Sequence, residues 1–385
     1  MHNIGLFMKI NNGVSSFKYD ELNEFNIFKI SKKEITKEDV IELKNRILRR
    51  NSSFARNPFP IVVFLGEIEF EDKLTILLLE CLCYYLIKEI KKKVYINCAF
   101  QKNILTEEAL LSPINYLRND TYSIEKFIKY FHYDVNKNHF RQFLSYEKII
   151  GSDYLSVLYG DFVSFQKNLD VDDEAAEETA SVMVELIGNA CEHTETDCLI
   201  DFDIAQNYSK KDDNGNLVGD YYAINISIIN FSQKLFYDDI YRKINLLVDE
   251  GTAQGRYKVL VQAFKNHKRF FDVDYDANRF CIIAAFQDKI SGRMSNSATG
   301  GKGLKKLINS LQKKSDASIC YMQTGSVQFF FADKYLDYDV DDWIGFNDNN
   351  NFLNSPPNKM LFRKNSFYIP GTAYNLTFVY EREEL

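Results

Sequence analysis

The sequence predicts an α/β amino-terminal domain followed by an α+β carboxy-terminal domain. Pro60-Ile-Val-Val-Phe-Leu65 and Val94-Tyr-Ile-Asn-Cys-Ala-Phe100 are short, continuous apolar runs, as expected of strands buried on both faces. Between them Phe70 to Lys92 carries a wide apolar helical face, so strand, crossover helix and strand form a unit with a parallel pair. Further on, Cys198 to Ile204 and Tyr221 to Ile229 are β-rich runs joined by the Asn-Gly-containing turn Lys210 to Asn216, which predicts an antiparallel hairpin.

A length of 385 residues allows two or three domains with sizeable cores. The formal net charge of -7 argues against a protein that coats nucleic acid, and indicates no nucleic-acid partner. Cys81, Cys83, Cys98, Cys191, Cys198, Cys281 and Cys320 are odd in number and lack paired C-x-x-C spacing. They read as reduced, buried thiols of a cytoplasmic protein, with no zinc site or disulfide framework. No signal pattern opens the chain. Its longest apolar stretch, Leu74 to Ile90, is interrupted by Glu80, Lys88 and Glu89, so no membrane span is expected.

In chain order, Thr36 to Arg50 reads as a helix, with Thr36 as N-cap and Glu38 and Asp39 in the first turn. Leu105 to Leu117 and Ser123 to Phe131 read as shorter helices, and His132 and His139 as surface histidines. The polar run Asn136-Lys-Asn-His139 places a boundary between domains at 1–145 and 150–385. Val157 to Asn168 is a helix, and Asp170, Asp172 and Asp173 are capping candidates for the helix from Asp172 to His193. Asp212-Asp-Asn-Gly-Asn216 lacks the closing Glu of a calcium loop and reads as a solvated turn.

Asp238 to Glu250, Tyr257 to Phe271 and Asp276 to Phe286 have helical spacing within a mixed insertion. Ser297-Ala-Thr-Gly-Gly-Lys-Gly-Leu304 then leads into a helix to Lys314. Glycines before a helix N-terminus leave backbone N–H groups open to phosphate oxygens. Strands follow at Ser318 to Met322, Ser326 to Phe331 and Thr372 to Tyr380, with an acidic, Asn-rich connection from Asp333 to Ser366.

The most informative stretch is Glu185-Leu-Ile-Gly-Asn-Ala-Cys-Glu-His193. Residues four apart share a helix face, so Glu185 and Asn189 point together while Val182, Met183, Leu186 and Ile187 cover a core. A carboxylate and a carboxamide so placed can hold a cation or orient a water; alone, they also fit a solvated stripe. Their order with Ile228-Ile-Asn-Phe-Ser232, the glycine loop and Gly371-Thr372 resembles the Bergerat-fold (GHKL) ATPases, which include gyrase, heat-shock chaperones, histidine kinases and anti-sigma-factor kinases. The resemblance covers residues 155 to 385. Residues 58 to 117 resemble a STAS domain, although Phe70-Glu-Asp-Lys-Leu74 has no phosphoacceptor Ser at the helix start.

The GHKL resemblance implies an α/β sandwich with a mixed sheet, binding ATP and Mg²⁺. Asn189 would bind the Mg²⁺, and Glu185 would act as general base toward the γ-phosphate. Gly300, Gly301, Gly303 and Leu304 would form the phosphate-contacting hinge, with Lys302 neutralising charge, and about 236–303 would be a mobile lid. His193 would lie near the phosphates and Thr372 in the adenine network. Relatives carry Asp-x-Gly-x-Gly where this chain reads Asn230-Phe-Ser-Gln-Lys234, so Asn230 would meet the adenine amino group and base choice would relax. The implied function is a slow ATPase that switches a protein partner, one encoded nearby in the genome being a natural candidate. An anti-sigma-factor-like serine kinase and a non-hydrolysing sensor or scaffold remain alternatives, and homodimerisation stays open.

Overall fold

The computed structural model describes residues 3–8, 26–30, 32–54, 60–100, 111–150, 153–208, 220–291, 303–314 and 320–382. It combines a parallel sheet near the amino terminus with an antiparallel sheet formed by the rest of the chain. The amino-terminal unit runs α1 (Ile4–Phe7), β1 (Asn26–Lys29), β2 (Glu34–Ile35), α2 (Lys37–Phe54), β3 (Ile61–Phe70), α3 (Lys73–Lys88) and β4 (Val94–Phe100). β1 and β4 both pair parallel to β3, and β2 adds two residues at its far end. Thr36 N donates to Asp39 Oδ2 at 3.0 Å and Asp39 N to Thr36 Oγ1 at 3.4 Å, a reciprocal cap that starts α2 where the sequence placed it. Asp72 caps α3 through Thr75 N at 2.9 Å.

Helix α3 is buried on nearly every side, because its own parallel sheet lies beneath it and the antiparallel sheet lies above. That double cover explains the width of its apolar face. A 3₁₀ turn at Pro113–Leu117 and α4 (Ile124–His132) lead into the second unit: β5 (Tyr133–Asn136), β6 (His139–Leu144), α5 (Tyr146–Ile149), α6 (Tyr154–Lys167), α7 (Asp173–Thr194), β7 (Cys198–Tyr208), β8 (Tyr221–Asn230), α8 (Asp238–Glu250), α9 (Arg256–His267), α10 (Ala277–Ala285), α11 (Gly303–Lys314), β9 (Tyr321–Phe330) and β10 (Phe362–Glu381). The strands form one six-stranded sheet in the order β5-β6-β7-β8-β10-β9.

Every pairing in this sheet is antiparallel, not mixed as expected. β5 and β6, although they precede residue 145, belong to the second sheet, β6 pairing with β7 from His139↔Asp203 to Leu144↔Cys198. Short strands whose partner lies far along the chain leave no local signal, so the polar turn of this hairpin read as a boundary region. β9 runs unbroken through Gly325, whose φ of 58° sits where β10 shifts register, rather than splitting into two strands.

The stretch expected as a lid is largely helical where it is described. Ile240, Ile244, Leu260, Phe264, Phe280 and Ile283 from α8, α9 and α10 lie in the same core as α7 and the sheet. Their periodic apolar faces find partners, so Asp238–Ala285 is a packed helical layer. Among the described residues, no helix is long and apolar enough to cross a membrane.

Candidate functional site

The α7 helix begins with Asp172, whose carboxylate accepts from Ala175 N at 2.8 Å, and it ends at the left-handed Glu195 with φ 53°. Its Val182, Met183, Leu186 and Ile187 enter the core as predicted. Glu178, Ser181, Glu185 and Asn189 are half-buried and form one stripe along the opposite side. The amino-terminal part of that stripe is occupied by α11: Ser310 Oγ donates to Glu178 at 2.7 Å, Lys314 lies 3.9 Å from Glu178, and Lys306 Nζ donates to Ser181 Oγ at 3.2 Å.

These contacts fix a direction. As α7 is followed from Glu178 to Ser181, α11 is met in reverse, from Lys314 back to Lys306, so the two helices are antiparallel. The register carries the N-terminus of α11, at Gly303, toward Glu185 and Asn189. The positive dipole end of α11 is thus directed toward the two residues singled out by the sequence. Among the described residues, neither Glu185 nor Asn189 has a side-chain hydrogen-bond or ion-pair partner. Gly300, Gly301 and Lys302 lie outside the described residues, as does the His193 side chain; Leu304 is half-buried at the start of α11.

Asn230 and Thr372 do come together, but in a different role from the one expected. Asn230 is fully buried. Its Nδ2 donates to Ala190 O (3.2 Å), Thr194 Oγ1 (2.8 Å) and Thr196 Oγ1 (3.1 Å), while Oδ1 accepts from Thr372 N (3.0 Å). With both amide ends engaged, Asn230 ties the end of the sheet to the last turns of α7 and presents no free edge to a base. Gly371 permits this closure: its φ is 86°, and a Cβ there would lie 2.3 Å from Asn230 O.

A second polar constellation escaped the sequence reading. On the face of the sheet turned toward α3, His139 and Arg141 of β6 and Asp201 and Asp203 of β7 are all buried. Lys73 of α3 reaches Asp201 at 2.6 Å and also bonds Asp203; Arg141 pairs with Asp201 and, at 2.7 Å, with Glu80 of α3; His139 Nε2 meets Asp201 at 3.0 Å. Ser112 donates to Glu80, and Asn225 Nδ2 donates to Asp203 at 3.0 Å. His139 is therefore an internal residue instead of a surface one. His132 is half-buried, its Nε2 2.8 Å from Tyr84 OH.

The electrostatics follow from burial and charge. Burial would raise the Asp201 carboxyl, but Arg141, Lys73 and His139 outweigh it and hold the group well below its usual 3.8. Burial pushes Glu80 above 4.5, against Arg141 and with the help of Asp201. For His139, burial is outweighed by Asp201 and Asp134, which raise it above 6.5. The available signals were Glu80 inside an apolar helix and Asp201 and Asp203 at alternate positions of an otherwise apolar strand. No protein-family model, curated protein or solved structure matches this chain in the comparisons made.

Proposed function

We propose that the chain is a GHKL-type, Mg²⁺-dependent ATPase whose site lies along Glu185 and Asn189 beside the first turn of α11, and which acts as a nucleotide-dependent switch on a protein partner. The observation that supports this reading most directly is the antiparallel register of α7 and α11. It brings a helix N-terminus toward a carboxylate and a carboxamide that have no partner among the described residues. The donor set fits the group: Asn189 offers a neutral oxygen suited to a Mg²⁺ that keeps its waters and the substrate phosphates as its other ligands. When bound, Mg²⁺ neutralises charge on the phosphate oxygens.

The protein's own residues divide the remaining work. Glu185 accepts the proton of the attacking water. The α11 N-terminus receives phosphate oxygens on backbone N–H groups, with Lys302 adding a cation. Asn230 and Thr372 close the sheet end behind the site, so base selection is weaker than where a free carboxylate reads the base.

The test is binding and turnover of Mg-ATP by the full chain. Measurable hydrolysis should fall by about 100-fold or more in Glu185→Gln, while calorimetric nucleotide binding persists. Asn189→Ala should weaken Mg-dependent binding. Absence of both binding and hydrolysis, or turnover unchanged in Glu185→Gln, would overturn the proposal. Phosphate transferred to a protein without release of free phosphate would select a kinase over a hydrolase.

A further inference from the structure

The two halves of the molecule meet across a seam in which buried charges interrupt apolar contacts from Leu199, Ile229 and Ala373. On the antiparallel sheet, His139, Arg141, Asp201, Asp203, Asn225, Ser227, Asn375 and Thr377 form a polar stripe on the α3 side, all buried. α3 answers it with Lys73 and Glu80, and with Leu74 N, which donates to Asn375 Oδ1 at 3.4 Å. Tyr321 OH donates to Asp72 at 2.5 Å, and Lys37 pairs with the same carboxylate at 2.6 Å. Polar seams between packed units resemble separable interfaces more than permanent cores.

Charge balance sets the condition under which this seam is stable. Among the described residues, Lys73 and Arg141 face Glu80, Asp134, Asp201 and Asp203: two cations against four carboxyl groups, a formal excess of two negative charges. Protons on His139 and Glu80 would leave three cations and three carboxylates. The groups facing His139 are Asp134 of β5 at 3.4 Å, Asp201 and Asp203 of β7, and Lys73 of α3; those facing Glu80 are Arg141, Asp201, Ser112 and the neighbouring thiol of Cys81. A cavity of ≈ 10 Å³, a space on the scale of one water, is lined by Lys73, Glu80, Ser112, His139, Arg141 and Asp201 together with Ile76 and Leu77. Bulk counter-charge therefore has little access, and an uncompensated charge here is strongly unfavourable.

We propose that this seam is a proton-dependent latch: the amino-terminal unit stays docked on the sheet while the Glu80–Arg141–Asp201–His139 network holds two extra protons, and it is released as they leave. The direction follows from linkage. Both groups bind protons more tightly docked than free, so docking weakens as pH rises above 4.5 for Glu80 and above 6.5 for His139. The latch is independent of nucleotide chemistry, although β8 and β10 connect it within three residues to Asn230 and Thr372.

Hydrogen exchange of the full chain between pH 4.5 and 9, corrected for intrinsic rates, tests this. Opening of α3 should increase by up to about tenfold per pH unit for each proton released, while α7 keeps its protection. Glu80→Gln retains polar partners for Ser112 and Arg141 without titrating, and should lower that slope by one proton; His139→Gln should do the same. Protection of α3 that is independent of pH, loss of α7 together with α3, or a slope unchanged in both variants would each overturn the latch. If neither variant folds, the natural chain decides alone: selective opening of α3 supports the latch, and flat or joint opening removes it.

Discussion

The two faces of the antiparallel sheet are built from the same strands to opposite rules. Along β7, Cys198, Ile200, Phe202 and Ile204 enter the core shared with α6 and α7, while Asp201 and Asp203 point to α3. Along β8, Ile224, Ile226 and Ile228 face the helices, while Asn225 and Ser227 face the other unit. One face is held by area and packing, which do not depend on protonation. The other adds buried charge to the apolar contacts of Leu199, Ile229 and Ala373, and that charge does. The difference teaches that burial alone does not define a permanent core: an alternating strand written for a solvated face has here been covered by a second unit.

Adjacent residues on opposite faces offer the sharpest comparison. Asp201→Ala removes the carboxylate shared by Lys73, Arg141 and His139, and should destabilise by about 3–5 kcal/mol because the cations stay buried. Phe202→Ala should lose a similar amount, about 3–5 kcal/mol, by opening a cavity among Phe140, Phe162 and Phe165. Denaturant melts over a pH series separate them. Asp201 is held below 3.8, so its contribution is present above 3.8 and is lost as pH falls through the lowered value. The deficit of the Asp201 variant should shrink in acid and that of Phe202→Ala should not; parallel pH profiles would dissolve the contrast between the faces.

A smaller effect is expected where the faces end. Asn230→Ala strands Thr372 N and the Thr194 and Thr196 hydroxyls, and should cost about 1–3 kcal/mol in the same melts. A substitution without measurable loss would return Asn230 to the role of an open ligand contact. The smallest expected change is at Glu185: with no partner among the described residues, Glu185→Gln should alter stability by no more than about 0.5 kcal/mol. A large loss would make this residue structural and weaken its candidacy as a base.

Helices were the most legible part of the fold. The α8 bounds match the expected Asp238–Glu250, and Thr36 and Asp172 cap as their side chains suggest. The β7–β8 hairpin and the parallel pair β3–β4 were equally readable, since continuous or alternating apolar runs and turn residues are local signals. The pair β5–β6 was not, because its reason to be extended lies in β7. The candidate site divides along the same line. The shared orientation of Glu185 and Asn189 is a property of helical spacing, whereas the saturation of Asn230 depends on four partners from two distant segments, 190–196 and Thr372.

The chain by itself thus determined where helices start, which helix faces are apolar, and that Glu185 and Asn189 share a side, because those follow from interactions within a few residues. Only the tertiary structure decided that α11 turns its N-terminus toward that pair, that Asn230 is closed off, and that His139, Arg141, Asp201 and Asp203 lie under α3 instead of in water. Polar residues on a strand carry the same local pattern whether solvent or another unit covers them. The difference arises when Lys73 and Glu80 arrive from the far side of the fold to balance their charge.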